Sequence, residues 1–268
     1  CIRDSFLGML STHAVWIAPI IVAVVVFLGR FFFRLYGIAK PGPFFIVMVT
    51  AMGVSTNVPL AKIPVMSSYF FIGVLFSLAG AFIMHFIEKE PLPISKTKKA
   101  LKSRIDEDPA VVIDSLLYSG ILFFAVYLSM GLQLKNPYWL VVSCAAILQG
   151  DNLRAMAHHN IQRIFGTIIG LAIAAFLLNL PLSIFETLLM ITVLFVTVEY
   201  FVKRNYAIAQ FFTTPMSLML SMLVKQQYLY SLIQFRFLGI VIGSLLGLLA
   251  AWMMTTSLSF YNRKFHSN

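Results

Sequence analysis

The chain reads as an all-α, polytopic transmembrane helix bundle, and three observations predict it. Of 268 residues, 60% are hydrophobic and only 11% charged, where soluble domains carry about 25% charged residues. Mean hydropathy is +0.89. The apolar residues come in blocks of roughly 15–25, the length that crosses a hydrocarbon core about 30 Å thick, and not in the ten-residue alternating segments of a membrane barrel. So little charge cannot coat a surface facing water, which excludes soluble enzymes and ordinary nucleic-acid binders. No nucleophile motif, phosphate-cradling glycine loop or His/Cys/Asp cluster occurs, and the two cysteines, Cys1 and Cys144, have no ligand spacing. No catalytic residue, metal or cofactor is therefore expected.

Nine apolar segments follow in order, at roughly 14–29, 43–57, 65–86, 111–132, 137–149, 160–179, 182–201, 206–223 and 232–255. Arg30 and Arg34 close the first. The second is short, with Thr50, Gly53, Ser55, Thr56 and Asn57 in its second half, and the third carries Gly73 and Gly80. Residues 87–110, with three prolines and a lysine cluster, are expected to form a solvated, basic cytoplasmic linker. Asp114 lies near the start of the fourth segment, and Tyr138 and Trp139 open the short fifth one. The stretch Asp151–Arg163 is polar and helix-compatible, with Asp151 or Asn152 suited to an N-cap. It leads into the sixth segment, which contains Gly166 and Gly170. Glu186 and Glu199 lie near opposite ends of the seventh. The eighth contains Gln210, Thr213, Thr214, Pro215 and Ser217, and its proline is expected to break the helical ladder. Arg236, Gly239, Gly243 and Gly247 mark the ninth, and residues 257–268 are left as a tail.

Basic residues orient this array. Assigning alternate connections to one side places fourteen of the twenty Lys and Arg there, against four on the other, with Arg163 and Arg236 inside spans. By the positive-inside rule the rich side is cytoplasmic. The C-terminal tail then faces the cytoplasm of a multi-pass protein of the cell membrane, whose first partner is the lipid bilayer.

The sequence also resembles itself. Tyr36-Gly37-Ile38-Ala39 with Phe44-Phe45 parallels Tyr206-Ala207-Ile208-Ala209 with Phe211-Phe212, and Phe71-Ile72-Gly73 with Gly80 parallels Phe237-Leu238-Gly239 with Gly247. Segments one to three thus look like a second copy of seven to nine, entering the membrane from the same side, a parallel repeat. The domains expected are a partial transmembrane unit (1–86), the linker (87–110), a complete six-helix unit (111–256) and the tail (257–268). Three helices of the first unit are missing and residue 1 is Cys, so the chain is expected to begin inside a longer protein.

One region carries a family resemblance. Asn136-Pro137-Tyr138-Trp139 is followed by Gln149-Gly150-Asp151-Asn152-Leu153-Arg154 and then by Arg163-Ile164-Phe165-Gly166-Thr167-Ile168-Ile169-Gly170. This resembles the fusaric acid resistance (FUSC) family of aromatic acid exporters. Their six-helix unit has a Tyr-Trp opening one span, then a basic cytoplasmic turn leading to an Arg-x2-Gly-Thr-x2-Gly pattern. The resemblance covers residues 111–256, and 14–86 as a partial copy. Members often carry a large cytoplasmic domain between two units, where this chain has only the short linker. The resemblance implies efflux of aromatic or other organic carboxylic acids. Plant malate channels resemble the same unit, so a passive organic-anion channel is an alternative, and a non-transport scaffold in envelope biogenesis is another.

Candidate site residues follow from the cost of ionisable groups inside a membrane. Arg163 and Arg236 suit a substrate carboxylate, with Gln210, Thr213 and Thr214 of the proline-interrupted span as polar partners and Trp139 as a surface for an aromatic substrate. Glu186 and Asp114 are candidate proton-coupling groups. Arg154 and His158 are expected at a cytoplasmic mouth that concentrates small organic anions. Gly166, Gly170, Gly239, Gly243 and Gly247, spaced four apart within each helix, are expected to let helices pack closely, within the chain or between copies in a homo-oligomer.

Overall fold

A computed structural model describes residues 15–38, 42–55, 59–87, 110–150, 152–202, 204–224 and 229–266. The body of the expected linker (88–109), the first fourteen residues and Asp151 lie outside the described residues. Nine α-helices are described: α1 (Ala18–Leu35), α2 (Gly42–Ser55), α3 (Ile63–Ile87), α4 (Val111–Gly131), α5 (Tyr138–Ile147), α6 (Leu153–Leu178), α7 (Ile184–Val202), α8 (Tyr206–Val224) and α9 (Leu229–His266). No strand occurs among the described residues. The chain divides into two compact units, Cys1–Val126 with Leu258–Asn268, and Tyr127–Ser257.

Among the described residues, six helices are long and apolar enough to cross a membrane: Ala18–Leu35, Ile63–Met84, Val111–Gly131, Leu153–Leu178, Ile184–Val202 and Tyr230–Tyr261. The other three expected segments are helical but different in kind. Pro43–Ser55 and Tyr138–Ile147 are short apolar helices, and ten residues of helix reach only about 15 Å, half a hydrocarbon core. Helix α8 carries polar groups and Pro215 within it.

In the first unit, Pro19 sits at the start of α1, where its missing N–H leaves no unmade bond. The helix ends at Gly37, whose φ of 62° is the left-handed conformation that closes a helix most easily without a side chain. The Gly37 N–H reaches the Arg34 carbonyl at 3.1 Å and the Ile38 N–H reaches that of Phe33 at 2.9 Å. The face of α1 formed by Ala18, Val22, Val25, Val26 and Gly29 is buried. Helix α2 comes so close to it that a Cβ on Gly29 would lie 2.8 Å from Ile46. Between α1 and α4, Arg30 Nε donates to Asp114 Oδ2 at 2.9 Å and Nη2 to Oδ1 at 3.3 Å, and Arg34 Nη1 lies 3.0 Å from Oδ1. Arg30 also sits 4.8 Å above the Tyr118 ring. Helix α3 is exposed along nearly all its length, as a lipid-facing helix would be.

In the second unit, Asn152 caps α6, its Oδ1 accepting from the Ala155 N–H at 2.8 Å, so α6 begins seven residues before the apolar segment. Trp139, Ala174, Leu218 and Leu232 form a core from α5, α6, α8 and α9. Leu194 is the buried residue of α7, whose remaining apolar side chains are exposed or half-buried. Helix α8 runs unbroken through Pro215, against the expectation of a broken span. Around the proline, Thr213 Oγ1 donates to the Ala209 carbonyl, Thr214 Oγ1 to Gln210 and Ser217 Oγ to Thr214, so these hydroxyls bond back into their own helix. Helix α9 continues to His266, so most of the expected tail is an extension of the ninth helix.

Candidate functional site

Two glycine faces assemble the second unit's polar centre. A Cβ on Gly166 would strike the Gln210 Cβ and lie 2.9 Å from the Ala207 carbonyl, and one on Gly170 would lie 2.7 Å from Thr214 Cβ. These two glycines therefore press α6 against α8. On α9, a Cβ on Gly239 would lie 3.1 Å from Trp139 Cβ. One on Gly243 would strike the Leu140 carbonyl and lie 2.8 Å from Ser143 Cβ, and one on Gly247 would lie 2.9 Å from Ile147. All three seat α9 directly on the backbone of α5.

This packing brings both intramembrane arginines to one short helix. Arg163, on α6, donates from Nη1 to the Tyr206 hydroxyl at 3.0 Å and from Nη2 to Ser143 Oγ at 3.4 Å. Arg236, on α9, has its guanidinium carbon 5.1 Å from the centre of the Trp139 ring. Trp139 and Ser143 stand one turn apart on α5, and Ser143 Oγ donates to the Trp139 carbonyl at 2.7 Å. The arginines are 6% and 5% exposed, and each lies within electrostatic reach of the other. Two like charges held against one short helix repel each other. Among the described residues, no carboxylate lies in ion-pair range of either one; the ion pairs found there both belong to Asp114.

Several buried polar atoms of the second unit lack a hydrogen-bond partner. Buried and without a hydrogen-bond partner are the Nε atoms of Arg163 and Arg236, the Trp139 indole N–H, Thr167 Oγ1, Asn160 Oδ1 and Ser244 Oγ. Asn160, Arg163 and Thr167 share one stripe of α6, three and four residues apart. A buried polar group left unpaired costs about 1–3 kcal/mol, more when charged. The guanidinium, indole and hydroxyl groups among these could donate hydrogen bonds, and the arginines positive charge, to an anion.

The remaining expected residues fall in several places. Gln210 and Thr214 are buried, but in the α6–α8 seam against Gly166 and Gly170, with the Thr213 and Thr214 hydroxyls bonded back to their own helix. Trp139 is 1% exposed, a core residue beside Arg236. Arg154 and His158 are exposed on the first turns of α6. Neighbouring His159 sets its ring edge-on to Tyr206 at 4.9 Å. Glu186 closes a capping box at the start of α7, accepting from the Ser183 N–H at 2.7 Å and from its hydroxyl at 2.8 Å. Asp114 is 1% exposed and held by Arg30 and Arg34 in the first unit. Sequence reasoning missed Ser143, Tyr206, Asn160 and Thr167. The stripe through Arg163 could have found Asn160 and Thr167, whereas nothing local marks Ser143. An aliphatic groove of about 210 Å³ between the α6–α7 turn and the end of α8, lined by Leu178, Leu182, Met219 and Met222 among others, contains no arginine.

Residues 121–250, which include α5 and both arginines, match the fusaric acid resistance protein-like family. The uncharacterized membrane protein YvaC of Bacillus subtilis (strain 168) is 28% identical over 183 residues, covering 68% of this chain and 29% of that protein. The chain thus spans less than a third of that relative's length. No solved structure matches significantly. With six helices able to cross a bilayer and these two similarities, the chain is a helical membrane protein.

Proposed function

We propose, from the match of residues 121–250 to a fusaric acid resistance protein-like family and from the two arginines within it, that the protein exports small organic carboxylates across the cell membrane. One observation carries this reading: Arg163 and Arg236 are almost wholly buried on one face of α5 with no acidic partner among the described residues. An uncompensated buried cation costs several kcal/mol, and a carboxylate is the partner the guanidinium fork fits best. The unpaired indole N–H and hydroxyl groups supply further donors for the anion as it passes. Trp139 offers a ring to an aromatic substrate.

In this reading the basic side, with Arg154 and His158 at the head of α6, faces the cytoplasm and gathers anions, and the C-terminal end lies on that side. All nine helices cross or enter the bilayer, α1–α3 as a partial parallel copy of α7–α9. The short helix α5 supports the idea of a site at membrane depth, since irregular backbone there is tolerated only beside a cavity or protein. Asp114 is engaged by Arg30 and Arg34, and Glu186 by its cap, so no proton step is assigned to them. Translocation is the activity, with no chemical conversion of the substrate.

Efflux of a radiolabelled aromatic carboxylate from cells tests the reading. Arg163→Ala and Arg236→Ala should each lower the rate about tenfold or more, the loss of a charged hydrogen-bond donor set, at unchanged membrane abundance. Wild-type efflux in both variants would overturn the site.

A further inference from the structure

We infer that Tyr206 is a positioning residue of the carboxylate site: its hydroxyl holds Arg163 so that Nε–H and Nη2 meet a carboxylate side-on. The inference rests on the transport reading above and adds to it the group that sets the guanidinium's orientation. Arg163 Nη1 donates to the Tyr206 hydroxyl at 3.0 Å, whereas Ser143 Oγ lies 3.4 Å from Nη2, near the limit of a hydrogen bond. Tyr206 is the firmer contact. Nη1 is the nitrogen on the side of the guanidinium away from Nε–H. A hydroxyl bound there leaves Nε–H and its neighbour Nη2 as two parallel donors, the pair that a carboxylate takes with both oxygens. Nε is buried and has no hydrogen-bond partner, and a charged oxygen outcompetes the long bond from Nη2 to Ser143.

Three local features place the Tyr206 hydroxyl. Tyr206 opens α8, and Asn205 caps that end, its Oδ1 accepting from the Ala207 N–H at 3.1 Å and the Ile208 N–H at 3.3 Å. Gly166, less than a turn past Arg163, lets α6 approach so closely that a Cβ there would lie 2.9 Å from the Ala207 carbonyl. His159, one turn before Arg163, sets its ring edge-on to Tyr206 at 4.9 Å. A guanidinium already ordered by this hydroxyl loses little freedom when the anion arrives, so the gain falls on affinity.

The full chain reconstituted in liposomes, with radiolabelled benzoate flux measured against concentration, tests the role. Tyr206→Phe keeps the ring beside His159 and removes only the acceptor. It should raise the half-saturating concentration about fivefold, the worth of one hydrogen bond, while the maximal rate and the melting midpoint hold. In an Arg163→Ala background the same change should alter flux at low benzoate by less than about twofold, because Tyr206 acts through Arg163. The full effect persisting in that background would overturn the inference. So would a Tyr206→Phe protein that loses maximal rate and melting midpoint together at an unchanged half-saturating concentration, which assigns Tyr206 to the fold. Flux lowered by Arg163→Ala but indifferent to Tyr206→Phe would overturn the positioning role and leave the transport reading standing. No benzoate flux through the wild-type chain would overturn that reading, and the positioning role with it.

Discussion

Replacing Gly243 by alanine should unseat α9 from α5, and the same change at Gly80 provides the control. The added methyl at position 243 would strike the Leu140 carbonyl and lie 2.8 Å from Ser143 Cβ, where ordinary contacts begin at 3.4 Å. Neither neighbour is the end of a flexible side chain, so relief requires the helices to part by several tenths of an ångström. A gap of about 0.5–1 Å forfeits a quarter to a half of the dispersion well for every atom pair across it, and overpacking of this kind costs about 1–3 kcal/mol. At Gly80 a Cβ meets nothing within 4 Å. The helix preference of alanine over glycine there should be neutral to favourable, by up to about 1 kcal/mol. In thermal melts of the detergent-purified protein, Gly243→Ala should lower the midpoint by roughly 2–12 °C, at about 2–4 °C per kcal/mol, while Gly80→Ala holds or raises it. Carboxylate efflux should fall in Gly243→Ala as well, because Ser143 and Trp139 move with the displaced helix. A Gly243→Ala protein that melts at or above Gly80→Ala would refute the packing described for α5 and α9.

Other substitutions probe the first unit and the chain entering the site. Asp114→Asn removes the buried carboxylate charge that Arg30 and Arg34 both engage and should destabilise by about 3 kcal/mol, the lower end for a broken buried pair, because Arg34 keeps 30% side-chain exposure; an unchanged melting midpoint would remove that cluster from the fold's supports. Gln133 holds a φ of 49° after α4, a left-handed conformation costing a residue with a side chain about 1–2 kcal/mol. Gln133→Gly should therefore raise the midpoint by a few degrees, and a fall would contradict the helix end described.

Much of the fold was legible because hydropathy and capping act locally. The apolar segments at 43–57, 111–132, 137–149 and 206–223 became α2, α4, α5 and α8 nearly at their expected bounds, and Asn152 capped α6 as its side chain suggests. The departures have physical reasons. Helices α6 and α9 outrun their apolar segments because polar, helix-compatible residues extend them beyond the hydrophobic stretch. Helix α8 stays whole through Pro215, held along its length by close packing on α6 at Gly166 and Gly170, and tertiary packing routinely overrides local propensity. Arg163 and Arg236 stood out by charge alone, since each is expensive where it sits. Asp114 stood out for the same reason, yet its partner Arg30 lies 84 residues away and Arg34 only slightly nearer along the chain, and no spacing rule reaches that far.

By itself the sequence determined that this is a membrane-embedded helical protein, where its helices run and which side chains are too costly to be idle, because insertion energy and backbone propensity depend on neighbours along the chain. Only the tertiary structure decided the partners. Glycines four apart show the same smooth face to any helix, and it was packing that set Gly166 and Gly170 on α8 but Gly239, Gly243 and Gly247 on α5. That choice turned Arg163 toward Ser143 and Tyr206 and laid Arg236 over Trp139, since the rotation of a helix follows from the sum of its contacts and from no residue singly.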